Sequence, residues 1–138
     1  MAEDDETREV RCRIVAEPDL LRVRQLLREY ARELGLVDQT KLVTAGSELA
    51  RNILKYASPA GGCMQLDVIE REHRRAVRAV FTDSGPGITD LGLAMKDGYS
   101  SSGSLGLGLP GARRLVDEFS ISSSVGEGTT VTIVKWMG

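Results

Sequence analysis

The chain predicts an α+β fold, a two-layer sandwich with three main helices on one face of a mixed, largely antiparallel sheet. Three observations carry that expectation. Short runs alternating apolar and polar residues come as neighbours separated by turn residues, the pattern of hairpins. Three longer segments repeat their apolar residues at helical spacing. The length of 138 residues suits one domain, taken as 1–138, and a chain of this size buries about two-thirds of its unfolded surface without disulfide or metal.

Residues 1–8, acidic from Glu3 onward, are expected to fray. Val10, Cys12 and Ile14 alternate with Arg11 and Arg13, giving a first strand. Pro18 opens a helix at a position where its missing N–H costs nothing. Leu20, Val23, Leu27, Tyr30, Ala31 and Leu34 then recur at helical spacing up to Gly35. Asp38 can cap a second helix with Leu42, Ala45, Leu49, Ile53 and Tyr56 on its apolar face, ended by Ser58-Pro-Ala-Gly-Gly62. Met64, Leu66 and Val68 mark one strand and Ala76–Phe81 the next, with Glu72-His73-Arg74 as the hairpin turn. From Thr82 to about Leu105 the chain reads as loop, broken by one weak helical stretch near Leu91–Met95. A third helix is expected over 107–117, then strands over 119–123 and 129–136 joined by Gly126-Glu-Gly128.

Composition removes several function classes. Eighteen Lys+Arg against 20 Asp+Glu give a net charge of −2, and there are six aromatics. Nucleic-acid binders need basic stripes and stacking platforms, so no nucleic-acid partner is expected. No apolar run reaches the ~18–20 residues of a membrane span, and the acidic start is unlike a signal peptide. A cytoplasmic protein follows as the expectation. Cys12 and Cys63 lack metal-site spacing and read as two buried thiols in a reducing compartment. His73 is the single histidine; with two scattered cysteines it is not expected to build a structural zinc site or a Ser-His-Asp triad, which leaves any metal to oxygen ligands.

Glycine is the informative residue. Eight of the 15 glycines fall between Gly85 and Gly111, where the backbone must turn with positive φ or approach a ligand. Gly106-Leu-Gly108-Leu-Pro-Gly111 spells GxGxxG, yet no strand precedes it and only 27 residues follow it. A dinucleotide-binding turn is therefore excluded. What survives is a glycine run entering a helix start, a place that favours phosphate. On the second helix, Glu48, Asn52 and Lys55 are spaced i, i+4, i+7 and share a face. A neutral amide oxygen there suits Mg²⁺, and a carboxylate could orient or deprotonate a hydroxyl; a merely solvated polar face has the same pattern. Asp83-Ser-Gly85-Pro-Gly87 follows an apolar strand and fits either a ligand-binding turn or a tight turn alone.

In order and spacing, Asn52, Asp83-x-Gly-x-Gly and Gly106-x-Gly108 resemble the N, G1 and G2 boxes of the GHKL ATPases. The likeness extends to Gly128-Thr129 before the last strand. Within that superfamily, Glu48-Leu-Ala-Arg-Asn52-Ile and the segment from Asp97 to Phe119 are similar to the small bacterial switch kinases of the RsbT type. Leu109-Pro110-Gly111 departs from the bulky apolar residues usual in the anti-sigma branch.

The resemblance implies ATP and Mg²⁺ as cofactors and a role for each matching residue. Glu48 would be the catalytic base and Asn52 the Mg²⁺ ligand. Asp83 would accept from the adenine amino group, with Thr129 helping to hold a water. Gly85 and Gly87 would let the backbone pass the base. Gly103, Ser104, Leu105, Gly106, Leu107 and Gly108 would form a mobile lid at the phosphates. Lys55 would touch phosphate, or stand solvated. The implied partners are STAS-domain proteins phosphorylated on Ser or Thr and a PP2C-type phosphatase activated once the kinase is released. That second role calls for exposed apolar surface, with Leu91, Leu93, Met95 and Tyr99 as candidates. Two other readings stay open: an anti-sigma kinase that also binds a sigma factor, and a nucleotide-gated binding module without transfer.

Overall fold

The computed structural model describes residues 9–57, 59–87, 95 and 108–137. Strand β1 spans Val10–Ile14 and buries Cys12 and Ile14 while Arg11 and Arg13 stay exposed, as the alternation requires. Helix α1, Pro18–Tyr30, starts with proline in its first turn. Asp19 Oδ2 holds the β1–α1 corner by accepting from the Val15 N–H at 2.8 Å and the Ala16 N–H at 3.0 Å. The helix stops short of Gly35, because the chain tightens into a turn in which the Leu34 N–H donates to the Ala31 carbonyl at 2.9 Å. Ala31 and Leu34 are buried all the same.

Helix α2, Leu36–Tyr56, corrects the expected cap. Gly35 is the extended residue before it, and Asp38 lies inside the first turn without a capping bond. There its charge complements the helix dipole, and its carboxylate stands 3.4 Å from the Lys135 ammonium. Strands β2, Gly62–Arg71, and β3, Arg74–Asp83, pair antiparallel from Gly62↔Asp83 to Arg71↔Arg74. Their two-residue turn is Glu72-His73, with φ of 51° and 68°, the left-handed pair of a type I′ turn that matches strand twist. Helix α3 is shorter than expected, Gly108–Leu115, since the Asp117 N–H already bonds the Val134 carbonyl at the sheet. Strands β4, Glu118–Ser124, and β5, Gly128–Trp136, close the chain.

The sheet order is β1-β2-β3-β5-β4. β5 enters between β3 and β4 antiparallel to both, and β2 is antiparallel to its two neighbours. No parallel pairing of the mixed kind occurs among the described strands. One sheet face carries Cys12, Ile14, Met64, Leu66, Val77, Ala79, Phe81, Val131 and Ile133 into a core shared with the helices. Gly46 brings α1 and α2 together: a Cβ there would lie 2.4 Å from Leu27 Cδ1.

The two thiols are on opposite sides of the sheet. Cys12 pairs with Met64 in the core, whereas Cys63 pairs with Arg13 and is half-buried. That corrects the expectation of two buried thiols, and the alternation of strand side chains explains it. Burial is the main influence raising the Cys12 thiol above its ordinary value. No helix among the described residues is long and apolar enough to cross a membrane.

Candidate functional site

The site is assembled at the ends of β3, α2, α3 and β5. Asp83, the last residue of β3, is half-buried and accepts from two backbone donors with one oxygen. The Gly85 N–H reaches Oδ1 at 2.9 Å and the Thr129 N–H reaches it at 3.3 Å. Thr129 Oγ1 is in turn 2.8 Å from Ser123 Oγ. This pinning leaves Oδ2 as the second acceptor of a fixed carboxylate.

The surrounding glycines have local reasons. Gly128, at φ +111°, sits so close beneath the end of β3 that a Cβ would come 2.1 Å from the Asp83 carbonyl oxygen. Gly85 lies against the last turn of α2, where a Cβ would be 3.0 Å from Ala57 Cβ. Gly87, at φ +79°, presses on the Ser124 carbonyl at the β4–β5 turn, and the Gly126 N–H clamps Pro86 O at 2.8 Å. The turn after β3 is thus wedged between α2 and the β4–β5 hairpin; internal packing alone demands glycine at Gly87, and at Gly85 it leaves a side chain little room.

About two and a half turns back along α2 from Ala57, Glu48 is half-buried with its side chain 16% exposed. Arg51 Nη1 donates to its Oε1 at 3.0 Å. The N–H of Gly108, which opens α3 with φ +62°, points to its Oε2 at 3.4 Å. The second helix and the end of the glycine-rich segment therefore meet at this carboxylate. Asn52 follows one turn later, half-buried on the same face. Lys55 is exposed, with its ammonium 5.3 Å from the Tyr56 ring centroid. At 1.5 Å per residue, Glu48 and Ala57 stand about 14 Å apart along α2, so only an elongated ligand could touch both Glu48 and the Asp83 turn.

Gly103, Ser104, Leu105, Gly106 and Leu107 lie outside the described residues, as do Leu91, Leu93 and Tyr99; Met95 is half-buried. Sequence reasoning missed two participants. Arg51 was legible as the residue three after Glu48, a spacing that faces it. Ser123 carried no local signal, since its pairing with Thr129 depends on the β4–β5 register. No group of three or more His, Cys, Asp or Glu that could hold a metal occurs among the described residues.

The model of the histidine kinase-, DNA gyrase B- and HSP90-like ATPases matches residues 37–137. The chain belongs to this family. It is 46% identical over 127 residues to the serine/threonine-protein kinase RsbT of Bacillus subtilis (strain 168), which covers 91% of this chain and 94% of that one. Within the ATPase family it is thus an RsbT-like serine/threonine protein kinase, and ATP is its nucleotide. The fold recurs in the RsbU and RsbW domains of Rv1364c from Mycobacterium tuberculosis, with a TM-score of 0.64 at 24% identity over 94% of this chain and 32% of that one. It recurs also in the mycobacterial sensor histidine kinase MprB, with a TM-score of 0.57 at 20% identity over 85% and 92% of the respective chains.

Proposed function

We propose that this RsbT-like kinase transfers the ATP γ-phosphate to a Ser or Thr hydroxyl of STAS-domain proteins in a bacterial stress-signalling partner switch. Once released, it binds and activates a PP2C-type phosphatase. The observation that carries the reading is the convergence at Glu48. A half-buried carboxylate, one helical turn before Asn52, meets the N–H that opens α3. A base, an amide oxygen and a glycine-rich helix start are the parts phosphoryl transfer needs, since that chemistry asks for positioning and charge neutralisation above all.

In this reading ATP lies along α2 with adenine at the Asp83 turn. Asp83 Oδ2 accepts from the exocyclic amino group while Oδ1 stays tied to Gly85 and Thr129. Gly87 and Lys55 belong to the nucleotide site as the wall of the turn and a flanking cation. Gly103, Ser104, Leu105, Gly106 and Leu107 are assigned to the phosphates on the resemblance alone. The donor set fits Mg²⁺: with no carboxylate cluster among the described residues, Asn52 is the natural oxygen ligand beside phosphates and water. The metal, when bound, supplies neutralisation of phosphate charge. Glu48 then takes the proton of the acceptor hydroxyl as its oxygen bonds phosphorus, the bond to the ADP oxygen breaks, and ADP leaves.

The test is incubation with Mg·ATP and the STAS protein encoded nearest the gene, read by intact mass and by the site modified. One added phosphate on Ser or Thr supports the reading. A folded STAS protein that stays unmodified while ATP binds overturns its substrate assignment, and sigma-factor binding then becomes the property to measure.

A further inference from the structure

A cleft of about 370 Å³ runs between α1 and α2, away from the Asp83 turn. Its α2 wall is one stripe, Thr40, Thr44, Glu48 and Arg51, at helical spacing. Its α1 wall presents Arg24 and Arg28, which are i, i+4 and so stand on one face. Glu48 is thus shared between the cleft and the proposed phosphoryl-transfer site.

The charge in the cleft is one-sided. The Glu48 carboxylate is already matched by Arg51 at 3.0 Å. Arg24 is positioned by donating from Nε to the buried Ser47 hydroxyl at 3.1 Å. Among the described residues no carboxylate comes within ion-pair distance of Arg24 or Arg28, so the guanidinium groups lining the cleft outnumber its one carboxylate, Glu48. Two guanidinium groups therefore face a cleft in a chain whose net charge is −2.

We propose that this cleft is the docking site for the protein substrate, and that it receives an acidic segment of that substrate next to the acceptor hydroxyl. The inference rests on the reading of Glu48 as the base. A carboxylate-bearing segment seated between Arg24 and Arg28 forms charge-assisted hydrogen bonds to planar guanidinium forks. It also leaves the neighbouring hydroxyl at the one carboxylate that lines both places. Such a surface sets which protein is phosphorylated and leaves nucleotide binding to the other end of α2.

The experiment measures kcat and KM for the STAS protein, with ATP affinity alongside, for wild type, Arg28→Glu, Arg28→Lys and Arg24→Gln. Arg28 is exposed and Arg24 half-buried, so unchanged ATP affinity serves as the control for folding. Expected are a tenfold or greater rise in KM for Arg28→Glu, a smaller rise for Arg24→Gln, and a rise for Arg28→Lys below that of Arg28→Glu, because the charge is kept while the guanidinium fork is lost. In all three kcat at saturation and ATP affinity should hold. KM values within twofold of wild type for both Arg28→Glu and Arg24→Gln would overturn the docking site while leaving the kinase reading intact. Absence of transfer by the wild type to a folded STAS protein would overturn the assignment of STAS proteins as substrates, and the docking site with it.

Discussion

At the scale of single residues, the account turns on Asp83 and the glycine beneath it. Asp83 is held by two N–H groups on one oxygen; an amide in its place keeps those two bonds through its own oxygen but turns an NH2 donor toward the proposed adenine amino group. Loss of a charge-assisted hydrogen bond is worth on the order of 1.5–3 kcal/mol. Asp83→Asn should therefore weaken ATP binding tenfold or more in a calorimetric titration, with the melting transition little changed. Gly128 has a different role. A methyl group there would overlap the Asp83 carbonyl at a backbone angle of +111°, and overpacking with strain of this kind costs about 1–3 kcal/mol or more. Gly128→Ala should lower the urea midpoint and weaken ATP binding together, because the same displaced backbone carries the Asp83 carboxylate.

At the scale of elements, two local devices can be tested without touching the site. Glu72 and His73 both hold left-handed φ, a conformation that Asn and Gly adopt at lower cost. The double variant Glu72→Asn/His73→Gly should gain about 0.5–1 kcal/mol in denaturant unfolding, with kinase activity unchanged. Asp19 is held below the ordinary carboxyl range, chiefly by the Val15 and Ala16 N–H groups. A depressed folded value means its stabilisation is present above the unfolded value and fades as pH falls through the folded one. The stability gap between wild type and Asp19→Ala should accordingly be full near neutrality and close below about pH 3.9. These elements also mark what the sequence could disclose. Alternation in Val10–Ile14 and Ala76–Phe81 and the apolar stripe of α2 gave strands, hairpin and helix directly, because burial on one face leaves a period in the residues. The start of α2 was not legible: Asp38 is a good capping type, but Gly35 takes the extended conformation three residues earlier. The outward side of Cys63 follows from alternation with the core-facing Met64 and was legible, whereas the Ser123–Thr129 bond depends on strand register, which tertiary pairing decides.

At the scale of the whole molecule, the sheet fixes the Asp83 turn against the end of α2, Glu48 stands about 14 Å back along that helix, and the Gly108 N–H that opens α3 points to its carboxylate. The motif spacing carried the proposed layout in outline: Asn52, Asp83 and Gly108 are far apart in sequence, and the fold places Gly108 at Glu48, one helical turn from Asn52. Arg24 and Arg28 had no such spacing; their importance arises from α1 lying alongside α2, which the close contact of Gly46 with Leu27 permits. The central claim is that Glu48 accepts the proton in phosphoryl transfer. Single-turnover transfer from Mg·ATP to the STAS protein should be compared for wild type and Glu48→Gln, with ATP affinity measured on the same samples. The account predicts ATP affinity within about threefold of wild type, a change below 1 kcal/mol, and a transfer rate reduced at least 100-fold, in the range for loss of a general base. Transfer by Glu48→Gln at close to the wild-type rate would contradict it.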